Sequence, residues 1–219
     1  MCRLVDKKKN LEMCCICGIR EAKSRDHIPP KGIFLPPRPS LITVPACDKC
    51  NQGSSKDDEK FRAYLSMHSY SSSPIAKRLF WEHTIPRLSR NPKFAHDILN
   101  ETEPINLISG NIFLGKAFSS KWDSGVHDRV IEKIVRGLYF HHFKEILGKY
   151  YSVKTHWFKL DKINDFNFIK QMKLCVIHKD QFAYKYVRTK NKPFVSIWFF
   201  NFFNSHLAGG YTVPLVDHL

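Results

Sequence analysis

The sequence predicts an α+β fold in two parts, a small module over residues 1–70 and a larger α+β domain over residues 71–219. Two C-x-x-C pairs that bracket a proline-rich stretch indicate a hairpin and a helix pinned by a metal ion. The segment from Val126 to Leu147 has apolar residues at helical spacing. Segments rich in β-branched and aromatic residues follow it and predict a mostly antiparallel sheet, at 152–160, 173–178, 182–188 and 194–203.

The elements of the first module follow from short local signals. Five prolines exclude a helix between the two cysteine pairs, at positions 29, 30, 36, 37 and 39. Leu41 to Val44 reads as a short strand. Ser55 is a candidate N-cap, and the acids that follow it suit the first turn of a helix with a buried stripe from Phe61 onward.

The second part begins with helical segments and a strand pair. Ile75 to Leu88 is expected to be helical until Pro86, and Ile105 to Phe118 to form two strands around Gly110. The long helix carries cations on roughly one side, at Arg129, Lys133, Arg136 and Lys144. This row is either a ridge that follows a phosphate backbone or an ordinary solvated helix face.

Composition narrows the class of protein. The chain has 219 residues, with 35 Lys and Arg against 20 Asp and Glu, and a net charge of +15. This charge favours a polyanionic partner, nucleic acid before a membrane surface. The hydrophobic content of 43% excludes global disorder. We find no signal peptide and no apolar run near the ~20 residues that cross a bilayer, and we therefore expect a cytoplasmic protein with no membrane partner.

The cysteines predict a structural zinc site. Four of the seven lie in the two pairs, and thiolate ligands at Cys14, Cys17, Cys47 and Cys50 would fill a tetrahedral Zn²⁺ shell and leave no open position for water. An odd number of cysteines fits metal ligation in a reducing compartment better than disulfides. Cys2, Cys15 and Cys175 are left over, and Cys15 competes with Cys14 for the first ligand position.

The residues around the cysteines resemble the HNH, or His-Me finger (ββα-metal), endonuclease superfamily. The resemblance rests on Asp26-His27-Ile28-Pro29 inside the cysteine loop and on Asn51 directly after Cys50, and it covers residues 13–66. It implies that His27 is the general base and that Asp26 and Asn51 bind a catalytic Mg²⁺ or Mn²⁺ distinct from the zinc. Arg25, Lys31 and Lys56 are the candidate contacts to the nucleic-acid backbone.

The chemistry of these side chains agrees with that resemblance. A neutral imidazole can accept a proton from water near neutral pH. Carboxylate and amide oxygens suit Mg²⁺, which tolerates a site with few protein ligands and several waters. Plainer interpretations stay open: His27 as a surface loop residue, Asn51 as a turn residue before Gly53, and Asp57 and Asp58 as first-turn acids, one of which could reach the ion through water.

One position departs from the family pattern. Many HNH proteins carry an Asn five residues before the third cysteine, where it orients the histidine, and this chain has Ile42 there. A backbone carbonyl or the Thr43 hydroxyl is the expected substitute. The sequence therefore predicts a divalent-metal-dependent endonuclease acting on DNA, with RNA possible, in phage defence or mobile DNA. The partner is a second copy or a regulatory protein, and the alternative is a non-catalytic zinc-dependent nucleic-acid-binding protein.

Overall fold

The computed structural model describes most of the chain. The residues described are 12–70, 72–100, 102–120, 122–148, 150–158, 167–192 and 194–215. Cys2, one of the cysteines outside the predicted zinc site, lies outside the described residues, as does the end of the predicted strand 152–160. The described part is α+β, and its sheets are antiparallel, as the sequence predicts.

The first element is a hairpin that encloses the proline-rich loop. Strands β1 (Ser24–Ile28) and β2 (Ile42–Ala46) pair antiparallel, with His27 opposite Thr43. Because side chains alternate along a strand, Asp26 and Ile28 face the interior while His27 lies on the opposite face, at the edge of the protein. Burial of Ile28 and Val44 fixes this register, since a slip by one residue would move both into water.

A short helix and a long one follow the hairpin. Helix α1 (Asp48–Asn51) leads through a 3₁₀ turn into α2 (Ser55–His68). The N-cap position belongs to Ser54 and not to Ser55, and its side chain makes no capping hydrogen bond. Phe61 and Leu65 bury one side of α2, so the opposite side is free to carry polar groups.

Four consecutive helical segments come next. They are α3 (Pro74–Leu79), a π-turn (Phe80–Thr84), α4 (Ile85–Arg90) and α5 (Pro92–Leu99). The expectation that the helix stops at Pro86 was wrong. Pro86 falls in the first turn of α4, immediately after the π-turn, where the backbone N–H that proline lacks is not needed.

A second hairpin follows α5 and precedes the next helix in the chain. Strands β3 (Thr102–Ser109) and β4 (Ile112–Ser120) pair around Gly110, whose φ of +59° suits glycine in a tight turn. This confirms the predicted strand pair. Its tip is apolar and exposed, with Ile108 63% and Phe113 59% accessible.

Helix α6 (Ser124–Phe143) is the central element. Asp123 caps it by accepting from the backbone N–H of Val126, and Lys144 ends it in the left-handed conformation, with φ of 58°. The helix therefore stops before the predicted Leu147. It packs on a five-stranded sheet in the order β5-β9-β8-β7-β6, formed by β5 (Tyr151–Phe158), β6 (Lys173–His178), β7 (Phe182–Arg188), β8 (Ser196–Phe202) and β9 (His206–Pro214).

The side of α6 away from the sheet packs on the N-terminal hairpin. Gly137 permits this approach, because a Cβ built there would lie 2.5 Å from Cγ1 of Ile28. One hydrophobic cluster contains Ile28 and Phe61 from before residue 70 together with Ile131 and Ile134 from after it. The division at residue 70 stays a prediction. The packing brings side chains of α6 to within reach of the Asp-His segment of β1.

Candidate functional site

The four predicted zinc ligands lie together. The Sγ atoms of Cys14, Cys17, Cys47 and Cys50 are all within 4.8 Å of one another. A tetrahedral ion with bonds of about 2.3 Å places its sulfur ligands about 3.8 Å apart, so this cluster could hold Zn²⁺. Gly18, with φ of +65°, closes the first turn by donating its N–H to the Cys14 carbonyl, and Cys50 donates its N–H to the Cys47 carbonyl in the second.

The structure also separates Cys14 from its neighbour. Cys15 lies in the apolar core and its side chain is outside the cluster of four. Cys14 is therefore the residue placed to act as the first ligand.

An arginine that sequence reasoning missed supports the cluster. Arg20 donates from Nε to Sγ of Cys47 over 3.1 Å and from Nη2 to Sγ of Cys50 over 3.5 Å. Burial disfavours the Cys47 thiolate, but the hydrogen bonds from Arg20 and Cys50 outweigh it and lower the pKa of Cys47 to about 6. The only signal in the sequence was the position of Arg20 three residues after Cys17.

Beside the cysteines, the hairpin and α2 enclose a polar cleft of about 520 Å³. Asp26, His27 and Asn51 all line this cleft. Its lining also includes one polar face of α2 that recurs at helical spacing, formed by Ser55, Asp58, Glu59 and Arg62. The cleft is thus built from β1, the end of α1 and α2.

His27 sits at the edge of the cleft with its ring partly buried. Burial and the charge of Lys31 lower the pKa of His27 below its ordinary value of 6.5, although Asp26 opposes them. The imidazole is therefore neutral at physiological pH, the form that accepts a proton. No hydrogen bond to this ring is found among the residues that the structure describes.

The two expected substitutes for the missing Asn do not hold the histidine. The hydroxyl of Thr43 accepts a hydrogen bond from Nε of Arg25 over 3.2 Å, and its carbonyl accepts from Nη2 of the same residue over 2.9 Å. Ile42 lies opposite Ile28 in the ladder and packs against the core. The position of His27 is therefore set by the strand backbone and by packing.

Asp26 and Asn51 are each fixed by hydrogen bonds. Oδ1 of Asp26 accepts from the backbone N–H of His27 over 2.8 Å, and the residue is only 6% exposed. Nδ2 of Asn51 donates to Oγ of Ser24 over 2.9 Å and to the carbonyl of Arg25 over 3.3 Å. These bonds engage the amide nitrogen and leave the amide oxygen of Asn51 as its available ligand atom.

The sequence pointed only weakly to two further charged residues of the site, Asp58 in the lining of the cleft and the buried Lys133 that contacts its carboxylates. Lys133, from α6, places Nζ 2.6 Å from Oδ2 of Asp58 and 3.3 Å from Oδ2 of Asp26. Nζ also donates to Oγ of Ser54 over 3.0 Å, and Lys133 is 4% exposed. Burial raises the pKa of Asp58 to about 6 despite the nearby ammonium group. Asp58 is therefore a cleft residue rather than an exposed first-turn acid.

Arg62, one turn further along α2 than Asp58, also lines the cleft. Arg62 is largely buried, and its Nε has no hydrogen-bond partner among the described residues. Burial lowers the pKa of Arg62 from its ordinary value, and Glu59 at 3.7 Å opposes this effect. Glu59 in turn binds Arg87 through Oε1 at 2.6 Å and Oε2 at 3.0 Å. Arg62 thus has donor capacity left for an anion in the cleft.

The three predicted backbone contacts differ in position. Arg25 lines the cleft, but it is held against Thr43 and lies 3.9 Å from Glu12. Lys31 lines the cleft and is exposed. Lys56 is exposed on α2 and does not belong to the cleft lining.

The cations of α6 are not a free ridge. Arg129 binds Asp57 with 2.7 Å between Nε and Oδ2, and Arg136 donates to the carbonyls of Leu147 and Tyr151. Lys133 is buried against Asp26 and Asp58. These residues bind the helix to the rest of the protein, which neither of the two interpretations of the sequence anticipated.

The cleft contains oxygen atoms of the kind that bind hard divalent ions. Oδ2 of Asp26 and Oδ1 of Asp58 are both buried and accept no hydrogen bond within the described residues. A buried carboxylate oxygen without a hydrogen bond is costly. The Lys133 ammonium group at 3.3 Å offsets part of this cost for Oδ2 of Asp26, and a bound cation would offset it for Oδ1 of Asp58. The donor set of two carboxylates and one amide oxygen is the type that Mg²⁺ and Mn²⁺ prefer.

Comparison with known proteins finds no relative: no protein-family model, curated protein or solved structure matches the chain. Within the part that the structure describes, no helix is both long enough and apolar enough to cross a membrane.

Proposed function

We propose that this protein is a metal-dependent endonuclease that hydrolyses phosphodiester bonds of nucleic acid, most simply DNA, in the cleft between β1 and α2. The observation that carries the proposal is the convergence of a neutral histidine with three oxygen ligands beside a four-cysteine cluster. These groups are His27, Asp26, Asn51 and Asp58. The HNH resemblance of residues 13–66 supports the same assignment and stays a resemblance.

The residues divide the chemistry between them. Asp26, Asn51 and Asp58 would hold the divalent ion, which polarises the phosphate and stabilises the leaving 3′ oxygen. His27 accepts a proton from water as the water oxygen attacks phosphorus. The P–O3′ bond breaks, the leaving 3′ oxygen takes a proton from solvent water, and the products are a 5′ phosphate and a 3′ hydroxyl. Arg62 and Lys31 provide the positive charge that binds the scissile phosphate and its neighbours.

The zinc cluster has a separate task. With four sulfur ligands it would keep no open position for water, so its role is structural. It joins Met13–Glu21 to the start of α1, the helix that carries Asn51. Loss of the ion would therefore displace Asn51 together with the second cysteine pair.

A second candidate function is a zinc-dependent nucleic-acid-binding protein without catalysis. Two observations favour it: Ile42 leaves His27 without an orienting side chain, and the ammonium of Lys133 lies against both carboxylates. The net charge of +15 supports nucleic-acid binding under either proposal. A setting in phage defence or mobile DNA, and control by a second copy or a regulatory protein, stay predictions from the resemblance.

Plasmid cleavage tests the proposal. Zinc-loaded protein is incubated with supercoiled plasmid, with Mg²⁺ or Mn²⁺ or with neither, and beside His27→Ala. The control is His156→Ala, because His156 is an exposed histidine on β5. Nicking that requires the added ion, vanishes in His27→Ala and survives in His156→Ala supports the nuclease. Salt-sensitive binding without nicking in any lane would support the non-catalytic alternative.

A further inference from the structure

The ammonium group of Lys133 lies against two of the proposed ligands of the catalytic cation. It contacts Oδ2 of Asp58 and Oδ2 of Asp26, and these two oxygens come from different elements, α2 and β1. The side chain reaches them from α6, 75 residues beyond Asp58 in the chain. The two carboxylates are thus held together by a cation that belongs to the protein itself.

A divalent ion bound to the Asp26 carboxylate would lie close to the ammonium group of Lys133. Oδ1 of Asp26 accepts from the N–H of His27, and Oδ2 faces Lys133, so an ion that binds Asp26 through Oδ2 meets this lysine directly. Ligand oxygens lie about 2.0–2.1 Å from Mg²⁺. An ion at that distance from Oδ2 would be within a few ångströms of the ammonium group, and two cations so close in a partly buried site repel strongly.

We propose that Lys133 is a built-in competitor of the catalytic metal for the Asp26 and Asp58 carboxylates. When the ion binds, the ammonium group gives up its carboxylate partners, and the phosphate of a bound nucleic acid offers it a new one. Metal and nucleic acid therefore bind cooperatively, and the cleft takes up the ion poorly until substrate is present. This inference rests on the proposed function, because it concerns the metal and the substrate of that site.

The consequence is a thermodynamic coupling between binding of the metal ion and binding of the nucleic acid. A ligand that removes the competing ammonium from the carboxylates raises the affinity for the ion, and by linkage the ion raises the affinity for that ligand to the same extent. Removal of the ammonium by mutation should have the same effect as substrate on metal binding. The substitution should also abolish most of the coupling.

Direct measurement of Mn²⁺ binding tests this. Free Mn²⁺ is followed by its electron paramagnetic resonance signal during titration of zinc-loaded protein, with and without a short DNA duplex. The protein carries His27→Ala so that the duplex stays intact. We expect the duplex to tighten Mn²⁺ binding about 10-fold or more. Lys133→Met should bind Mn²⁺ about 10-fold or more tightly without duplex, with little further effect of the duplex.

Matched variants control the experiment. Lys133→Arg keeps the positive charge and should keep the weak binding and the coupling. Lys56→Met removes an exposed lysine outside the cleft and should leave Mn²⁺ binding without duplex unchanged. Zinc content and circular dichroism show whether each variant is folded.

The outcomes separate this inference from the proposed function. If the wild-type protein cleaves plasmid and the protein binds Mn²⁺, but Lys133→Met binds it no more tightly, the competition is refuted while the nuclease stands. If Lys133→Met does not fold, an equal Mn²⁺ affinity with and without duplex refutes the coupling. If no variant binds Mn²⁺ and no plasmid is cleaved, the metal site and both proposals fail together.

Discussion

At the scale of single residues, the site depends on buried charges that are stable only because they are paired with one another. Asp26, Asp58 and Lys133 are all largely removed from water, and a lone buried charge costs several kcal/mol. Groups whose pKa is shifted by burial and by a charged neighbour, as that of Asp58 is, cluster at functional sites. The carboxylates are therefore the first residues to test.

Replacement of Asp58 by Asn should lower both Mn²⁺ affinity and plasmid cleavage by about 10- to 100-fold. The amide keeps the shape of the side chain and loses the negative charge that binds the ion. Asp57→Asn is the control, since the adjacent Asp57 binds Arg129 at the surface. Equal losses in the two variants would contradict a ligand role for Asp58.

The rate of cleavage should fall on acidification. His27 must be neutral to accept a proton, and its pKa lies below 6.5, while Asp58 must be ionised to bind the ion, and its pKa is about 6. Both groups are in their active forms above these values. The ratio kcat/KM should therefore be level above about pH 7 and decline below about pH 6. A decline that already begins above pH 7 would assign the base to another group.

At the scale of elements, the cysteine cluster and the contact between α6 and β1 position the cleft. The cluster sets the start of α1, and the contact brings α6 close enough to insert Lys133. Each of these two features can be tested with a variant and a matched control, the cluster at Cys14 and the contact at Gly137.

Cys14→Ala should abolish zinc binding, whereas Cys15→Ala should retain about one zinc per chain. The first substitution removes a ligand, and zinc ligation contributes to folding in small modules. The second removes only the sulfur of a buried core residue, a change of roughly 1–2 kcal/mol in the free energy of unfolding. Metal analysis of the purified proteins distinguishes them. Normal zinc content in Cys14→Ala would move the ligand set away from Cys14.

Gly137→Ala should lower the free energy of unfolding by about 1–3 kcal/mol. The added Cβ would lie 2.5 Å from Cγ1 and 2.8 Å from Cδ1 of Ile28, so α6 and β1 must separate. Gly148→Ala is the control, because a Cβ there has nothing within 4 Å. Urea denaturation measures both. A stable Gly137→Ala protein would mean that the contact between α6 and β1 adapts without strain.

At the scale of the whole molecule, helices and sheet meet in an aromatic cluster that contains three histidines, of which His127 and His206 are buried and His68 is exposed at its edge. His206 packs against His68 and His127, with ring centroids 5.1 and 5.7 Å away, and against Trp122 at 4.8 Å. Nε2 of His127 and of His206 has no hydrogen-bond partner among the described atoms. Burial lowers the pKa of all three histidines, and in His206 the charges of the other two add to it.

This cluster should make the fold sensitive to acid. The unfolded chain binds protons to these histidines near pH 6.5, and the folded chain resists them, so stability is lost as pH falls below 6.5. His206→Phe should lose less stability than wild type between pH 7 and pH 5. The comparison of the two proteins cancels the opposite contribution of Asp58 and the loss of zinc at low pH. Identical pH dependence in urea denaturation would contradict the role of His206.

Much of the architecture could be predicted from local signals. The strand pair around Gly110, the hairpin followed by α2 and the helix near residues 126–147 all follow from turn residues and periodicity, which act over a few neighbours. The helix through Pro86 could not, because the π-turn before it depends on packing. The strand β9 was also missed, since its glycines and polar residues weaken the strand pattern.

The sequence by itself determined the four-cysteine cluster and the grouping of Asp26, His27 and Asn51, since these residues lie within 38 positions, from Cys14 to Asn51, in one local unit. Only the tertiary structure decided that Asp58 faces the cleft, that Arg25 is held by Thr43 and that Lys133 lies between the carboxylates. The physical reason is the separation along the chain between the residues that determine each feature. Turns, caps and metal spacing depend on adjacent residues, whereas the environment of a buried charge depends on which distant helix packs over it.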